Sequence, residues 1–449
     1  MQFQLTNDLI ETVEQLIANR DGHALRALLH DYHFADIAEL LEEIKSKEAA
    51  YLIQQLDSEL TSDALMELDD DVRKKVLDRL SPIEIAKELE ELDTDDAADI
   101  VAELDDEIQQ EVISKIEDEE HAADILALLT YDENTAGALM AKELVQVKET
   151  WTVAGCVREM RRQAENVTRV HSIYVTDMDG KLTGRLSLKD LLTVGEKTKI
   201  SEVFIPKVDY VTVRTENEEV ARIMQKYDLE AIPVVDEAGI LVGRITIDDI
   251  VDFIKDEADK DYQMAAGISA DVEADDSVWQ LTRARLPWLV LGLFGGLGSV
   301  YIMKGFDDAL TRYVELFFFT PLIAAMAGNV GVQSSAIIVQ GLANDIVKGS
   351  MFNRLVKEIG LALINGLALG LLVIIFGLIT SMDQLVSLTI AISMVLVIIV
   401  AALVGTFVPI ILDKRGIDPA IATGPFITTS NDIFGIFLFF FIAKLILGF

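Results

Sequence analysis

Cysteine is almost missing: the 449 residues contain one, Cys156. A lone thiol excludes an internal disulfide framework and a cysteine-built metal site. Histidine is scarce as well. The five residues are scattered, with no HxxxH or HExxH pair, so a zinc enzyme has no support. Positive charge is in deficit, 38 basic against 75 acidic side chains, for a formal charge of −37. A nucleic-acid binder carries a basic stripe, and a sequence pI near 4.4 argues against one. No signal peptide opens the chain, which begins polar and acidic. No nucleophile–base pair or phosphate-cradling loop stands out, which disfavours an enzyme. Yet 51% of residues are hydrophobic, and a disordered acidic chain would be poor in them. The length allows roughly three domains.

The acidity is local. Residues 1–133 carry a net of −28, residues 134–283 a net of −9, and residues 284–449 a net of zero. Five apolar stretches fill the neutral part: Leu286–Met303, Val314–Ala343, Ile359–Ile379, Val386–Leu412 and Ile421–Ile446. Each reaches the length needed to cross a bilayer as a helix. Seven basic residues flank the spans on one side: Arg283, Arg285, Lys348, Arg354, Lys357, Lys414 and Arg415. Lys304, Arg312 and Lys444 lie on the other. The richer side is predicted cytoplasmic, so the acidic half is cytosolic and the C-terminus faces out.

Two spans are predicted to be broken. The second carries Pro321, Gly328, Asn329, Gly331 and Gln333. The fifth carries Pro419, Gly424 and Pro425, followed by Thr428 to Asp432. Irregular backbone at membrane depth is tolerated where it is buried in protein or lines a polar cavity. Asp432 is the one acid deep inside a span, and such a carboxylate is a functional candidate by default; the bland reading is a structural or protonated aspartate. Glu315, Asp345, Glu358 and Asp418 sit near span ends and are expected at interfaces or mouths. One carboxylate cannot balance a divalent ion, whereas a twofold dimer supplies two. A sparse oxygen ligand set suits Mg²⁺, which dehydrates reluctantly.

The cytosolic half holds two repeats. Ile173–Asp190 aligns with Ile232–Asp249 at an offset of 59, sharing Asp177/Asp236, Gly180/Gly239, Gly184/Gly243 and Arg185/Arg244 among eight identities. Each copy reads as strand, glycine turn, strand and capped helix. This pattern resembles a tandem pair of CBS domains. Such pairs often bind adenine nucleotides, so ATP is a candidate ligand, with no binding residues assigned. A purely dimerising role fits the same pattern. In the first 133 residues, Leu56, Leu68, Leu80, Leu92, Leu104 and Ile116 recur every 12 residues, each followed by an acid or Ser81. That period predicts short helices stacked as an α-solenoid, with the acids as N-caps. Capping does not account for −28, which calls for a cationic partner. Seven acids between Asp248 and Asp261 alternate with apolar residues, as in an acidic connecting helix.

The order of parts resembles the MgtE family of magnesium transporters and channels. The motifs carrying it are Gly328-Asn329-Val330-Gly331-Val332-Gln333, Asp418-Pro419 and Thr428 through Asp432. The resemblance implies a multidomain membrane protein: a helical superhelix at 1–133, CBS domains at 134–254, a connecting plug helix at 255–283 that starts near 248, and five transmembrane helices at 284–449. It implies a homodimer in the plasma (bacterial inner) membrane that conducts Mg²⁺ and is closed by cytosolic Mg²⁺. The ion path would include Asp432, Asn329, Gly328, Gly331, Asp418, Pro425 and Thr428. The regulatory ligands would come from Asp95, Asp99, Glu216, Glu218, Asp228, Asp249, Asp252, Glu257 and Asp261. Val332 stands where the family often has asparagine and is left unassigned. The competing reading is a nucleotide-regulated transporter of another divalent cation, with the acidic domain as a docking surface.

Overall fold

The computed structural model describes residues 5–163, 170–269, 272, 274, 276–343, 347 and 350–449. Asp345 and Lys348 lie outside the described residues. Contacts divide the chain into two units, Met1–Ile254 and Lys255–Phe449, and each is considered by itself.

Among the described residues the first unit opens with ten short helices: α1 Asn7–Ala18, α2 Gly22–Leu29, α3 Phe34–Glu43, α4 Ser46–Ile53, α5 Ser58–Met66, α6 Asp70–Leu77, α7 Pro82–Leu89, α8 Thr94–Ala102, α9 Asp106–Ile113 and α10 Glu119–Leu128. α3, α5, α7 and α9 stack in succession, with α4 against α6 and α8 against α10. The 12-residue period is therefore one helix plus one turn. Leu56, Leu68, Leu80, Leu92 and Ile116 are buried where each helix ends, tying the turns to the core. The expected caps are only partly present. Ser81 forms a capping box with Glu84. Asp57, Asp69, Asp93 and Asp105 occupy the N-cap position without accepting a cap hydrogen bond. Their charge still favours the positive end of the helix dipole, but their carboxylates remain available to other partners.

Two matched α/β modules follow. β1 Val145–Lys148 pairs parallel with β2 Ile173–Thr176, which pairs antiparallel with β3 Leu182–Leu186. β4 Val211–Thr212, β5 Ala231–Val235 and β6 Leu241–Thr246 repeat that order. The register slips between Val175 and Thr176 in one copy and between Val234 and Val235, the equivalent pair, in the other. Helices α11 Val153–Gln163, α12 Leu188–Thr193, α13 Asn217–Tyr227 and α14 Ile247–Ala266 complete them. The Asp-x-x-Gly signature has a direct cause. Asp177 Oδ1 accepts the amides of Asp179 and Lys181, both at 2.9 Å, and Asp236 Oδ1 does the same for Ala238 and Ile240 at 2.8 Å. Gly180 and Gly239 take φ of +87° and +82°, where a Cβ would be strained. The two turns then pair with each other, Leu182 N to Gly239 O and Leu241 N to Gly180 O, both 3.1 Å.

Among the described residues the second unit holds five long apolar helices: α15 Val278–Lys304, α17 Glu315–Ala343, α18 Met351–Ile379, α19 Gln384–Asp413 and α20 Gly424–Leu447. A short α16 Asp307–Arg312 joins the first two. α19 is central and packs against α17, α18 and α20, while α15 packs on α20. Two expectations are corrected. The second span is not broken: α17 runs unbroken through Pro321. Proline removes one donor there, and the glycines further along serve close helix contact instead. A Cβ on Gly331 would fall 1.8 Å from Asn431 Nδ2, and one on Gly405 would fall 2.4 Å from the Gly331 carbonyl. The connecting helix, α14, starts at Ile247, next to the expected start near 248, but ends at Ala266 instead of continuing to 283, because Gly267 at φ +80° ends it. The fifth span is interrupted as expected. A 3₁₀ turn at Pro419–Ala422 precedes Gly424, whose φ is +47°.

Candidate functional site

Asp432 lies in the third turn of α20 and is half-buried. A Cβ on Gly328 of α17 would sit 3.5 Å from its Oδ1 and 3.1 Å from Thr428 Cγ2. Glycine at 328 therefore keeps the space beside the carboxylate open. Thr428 donates to the Gly424 carbonyl at 2.9 Å, satisfying backbone at the helix break. So Gly328, Thr428 and Asp432 come together, and Gly331 packs one turn along. Asn329 is exposed on α17. Asp418 is exposed and caps the 3₁₀ turn through the Ala420 amide at 2.7 Å. Pro425 packs on Gly267, where a Cβ would lie 2.3 Å from the proline ring.

The break needs partners that the sequence did not advertise. Ser335 of α17, fully buried, donates to the Ala422 carbonyl at 2.7 Å. A carbonyl left bare in such a place is costly. Ser334 donates to Glu358 of α18 at 2.6 Å, so Glu358 takes part in the contact between α17 and α18. Asn431 is 1% exposed, and its amide has no hydrogen-bond partner among the described residues.

A second concentration of charge sits in the first unit, around the start of α8 and the start of α14. Asp95 is buried, and its proton affinity is well above the usual aspartate range. Burial comes first, then repulsion from Asp96, Asp249, Asp93 and Glu143. Asp96 is pushed up to about 8 by burial, Asp249 and Asp99. Asp99 rises to about 6 through burial, with the Arg73 guanidinium opposing and Glu103 and Asp249 adding to it. Asp249 is also raised by burial, although it accepts from the Thr246 amide at 2.9 Å and hydroxyl at 2.6 Å. Glu143 is raised by burial and by Asp93. Buried carboxylates whose proton affinity is raised by burial and by one another are a donor set that a hard divalent cation would neutralise.

Sequence reasoning found Asp95, Asp99 and Asp249 of this group and missed Asp93, Asp96 and Glu143. Asp93 reads as a helix cap and Asp96 as one more acid of the same Asp-rich turn; Glu143 lies 44 residues beyond Asp99 and joins only through the fold. The remaining candidates are dispersed. Glu216, Glu218, Asp228 and Asp252 are exposed, and Glu257 and Asp261 are half-buried. Burial raises Asp261, with Asp418 and then Glu257 adding to it, so these three make a smaller acidic group at the end of α14. Among the described residues no three Asp, Glu, His or Cys side chains converge as a finished metal site.

Family models match nearly all of these parts. The model described as MgtE, divalent cation transporter, covers residues 320–442. The MgtE intracellular N domain covers 32–134, and CBS domains cover 136–197 and 200–256. The magnesium transporter MgtE of Bacillus subtilis is 33% identical over 431 residues, 95% of each chain. That of Thermus thermophilus is 35% identical over 328 residues, 72% of this chain and 73% of its own. Among solved structures, the cytosolic domain of the Mg²⁺ channel MgtE in complex with ATP superposes with a TM-score of 0.51 at 35% identity, over 54% of this chain and 99% of that one. With its helical domain, CBS pair and five apolar helices in the matching order, this chain belongs to the MgtE family of magnesium transporters.

Proposed function

We propose that the chain works as a homodimeric Mg²⁺ channel for uptake across the plasma (bacterial inner) membrane, closed by cytosolic Mg²⁺. The observation that carries this reading is the carboxylate group of Asp95, Asp96, Asp99 and Asp249. Without cations these side chains repel, which opposes packing of the helical domain against the start of α14. Asp95, Asp99 and Asp249 would hold Mg²⁺, with Asp96 and Glu143 completing the charge. The acids at 252, 257 and 261 extend the same role along α14, and those at 216, 218 and 228 along the second CBS module. Closure gains only the difference in affinity between the two states, so many weak sites sharing one transition give a steep response.

In the membrane, two copies of Asp432 would balance one divalent ion. Gly328, Gly331 and Thr428 shape the space beside it, while Asn329, Asp418 and Pro425 line its approaches. The C-terminus faces outward and lipid covers the exposed apolar faces. ATP is proposed as a ligand of the CBS pair by analogy with the related cytosolic domain. Limited proteolysis of the full protein around residues 247–277 tests the reading against the nucleotide-regulated alternative. Millimolar Mg²⁺ alone should protect this region. Cleavage that is unchanged by Mg²⁺ and slowed by ATP would favour the alternative.

A further inference from the structure

The two CBS modules share a Gly-Arg pair at equivalent positions, Gly184-Arg185 and Gly243-Arg244, yet the two arginines have different surroundings. Arg185 is exposed, whereas Arg244 is 4% exposed and its Nη2 donates to Asp93 Oδ2 of the helical domain at 3.1 Å. Asp93 stands at the N-cap of α8 without capping it, so its carboxylate is available for this pairing. The backbone fixes the direction of Arg244. Arg244 exchanges hydrogen bonds with Ala141, N to O at 2.9 Å and O from N at 2.8 Å. Glycine at 243 permits that approach, since a Cβ would fall 2.8 Å from the Ala141 carbonyl. Beside the pair, Thr94 donates to Glu143 Oε2 through its amide at 3.2 Å and its hydroxyl at 2.9 Å. The Lys142 amide in turn donates to Thr94 Oγ1 at 2.9 Å.

We propose that Arg244 is a positioning residue, an electrostatic latch on Asp93 that docks the helical domain on the second CBS module without any cation. This rests on the gating reading above. Docking forces Asp95 and Asp96 towards Asp249, which repulsion opposes, and the latch with its Thr94–Glu143 neighbours offsets that cost. A ligand that needs the docked form binds with an apparent affinity reduced by the docked fraction. The latch thereby sets the Mg²⁺ concentration at which the chain responds.

The sign of one substitution separates this from a simple charge effect. Removing a cation beside a metal site strengthens Mg²⁺ binding, whereas removing a latch weakens it. In the full protein in detergent, with Mg²⁺ as the probe and protease protection as the readout, Arg244→Gln should raise the half-protecting concentration about tenfold or more. Arg185→Gln should leave it unchanged. A midpoint for Arg244→Gln that is unchanged or lowered overturns the latch. Should Arg244→Gln fail to fold, Asp93→Asn is read in chelator, so that no ligand effect enters. Cross-linking of a cysteine pair placed between α8 and β6 should slow several-fold, and an unchanged rate overturns the proposal. If wild type shows no Mg²⁺ protection at all, the gating reading fails first. If wild type is protected while the variants match it, the latch alone fails.

Discussion

In the proposed ion path Asp432 would be the one acid that each chain contributes, with α17 supplying the space of Gly328 beside it. Asp432→Ala is expected to abolish Mg²⁺ uptake while leaving membrane insertion intact, checked by uptake in cells with surface expression measured in parallel. Ser335→Ala removes the donor to the Ala422 carbonyl. It should cost about 1–3 kcal/mol, the penalty for a buried acceptor left unpaired, read as a lower melting temperature in detergent. The deep aspartate was legible in the sequence because a lone charge in an apolar run is conspicuous. Ser335 was not, because hydroxyl residues are common in spans, and only the fold shows which carbonyl needs one. The acidic cluster was half legible for a related reason. Asp93 reads equally well as a helix cap, Asp96 as one more acid of an Asp-rich turn, and nothing local to Glu143 shows that it meets Thr94.

At the scale of elements, periodicity was the reliable guide. The 12-residue leucine spacing became one helix and one turn, and the 59-residue offset became two modules with bulges at equivalent places. Breaks were harder to read. Proline and glycine in α17 suggested an interrupted helix, but tertiary contact uses those glycines for close packing against α19 and α20. Gly405→Ala should therefore cost about 1–3 kcal/mol through overpacking, measured as loss of thermal stability of the membrane domain. In the helical domain, Glu88 is 5% exposed between α7 and α5 and accepts from the Thr61 hydroxyl at 2.5 Å. Burial lifts it from 4.5 to about 7, with Thr61 and Lys87 opposing and Glu91 and Asp57 adding. The folded chain thus holds a proton that the unfolded chain releases above about 4.5. That stability is complete below 4.5 and is lost as pH rises to about 7. Glu88→Gln should stabilise the domain by about 1–3 kcal/mol at pH 8 and by little at pH 4.5. Thermal denaturation of both proteins at the two values checks this, and equal shifts at both would contradict it.

For the whole molecule, a charge of −37 is carried by residues 1–283, while residues 284–449 are neutral. Part of that acidity is concentrated around α8 and α14, where burial first and mutual repulsion second raise the proton affinity of Asp95, Asp96 and Asp249. In the proposed function such a group would be destabilised without cations and compacted by them, which would tie sensor and cargo to one ion. Single-channel recording in planar bilayers, with cytosolic Mg²⁺ varied and the other side held constant, tests this most directly. Open probability should fall steeply as cytosolic Mg²⁺ rises through the millimolar range, and Asp95→Asn with Asp249→Asn should shift that fall to higher concentration. Currents that ignore cytosolic Mg²⁺, or a closure that is identical in the double variant, would contradict the account.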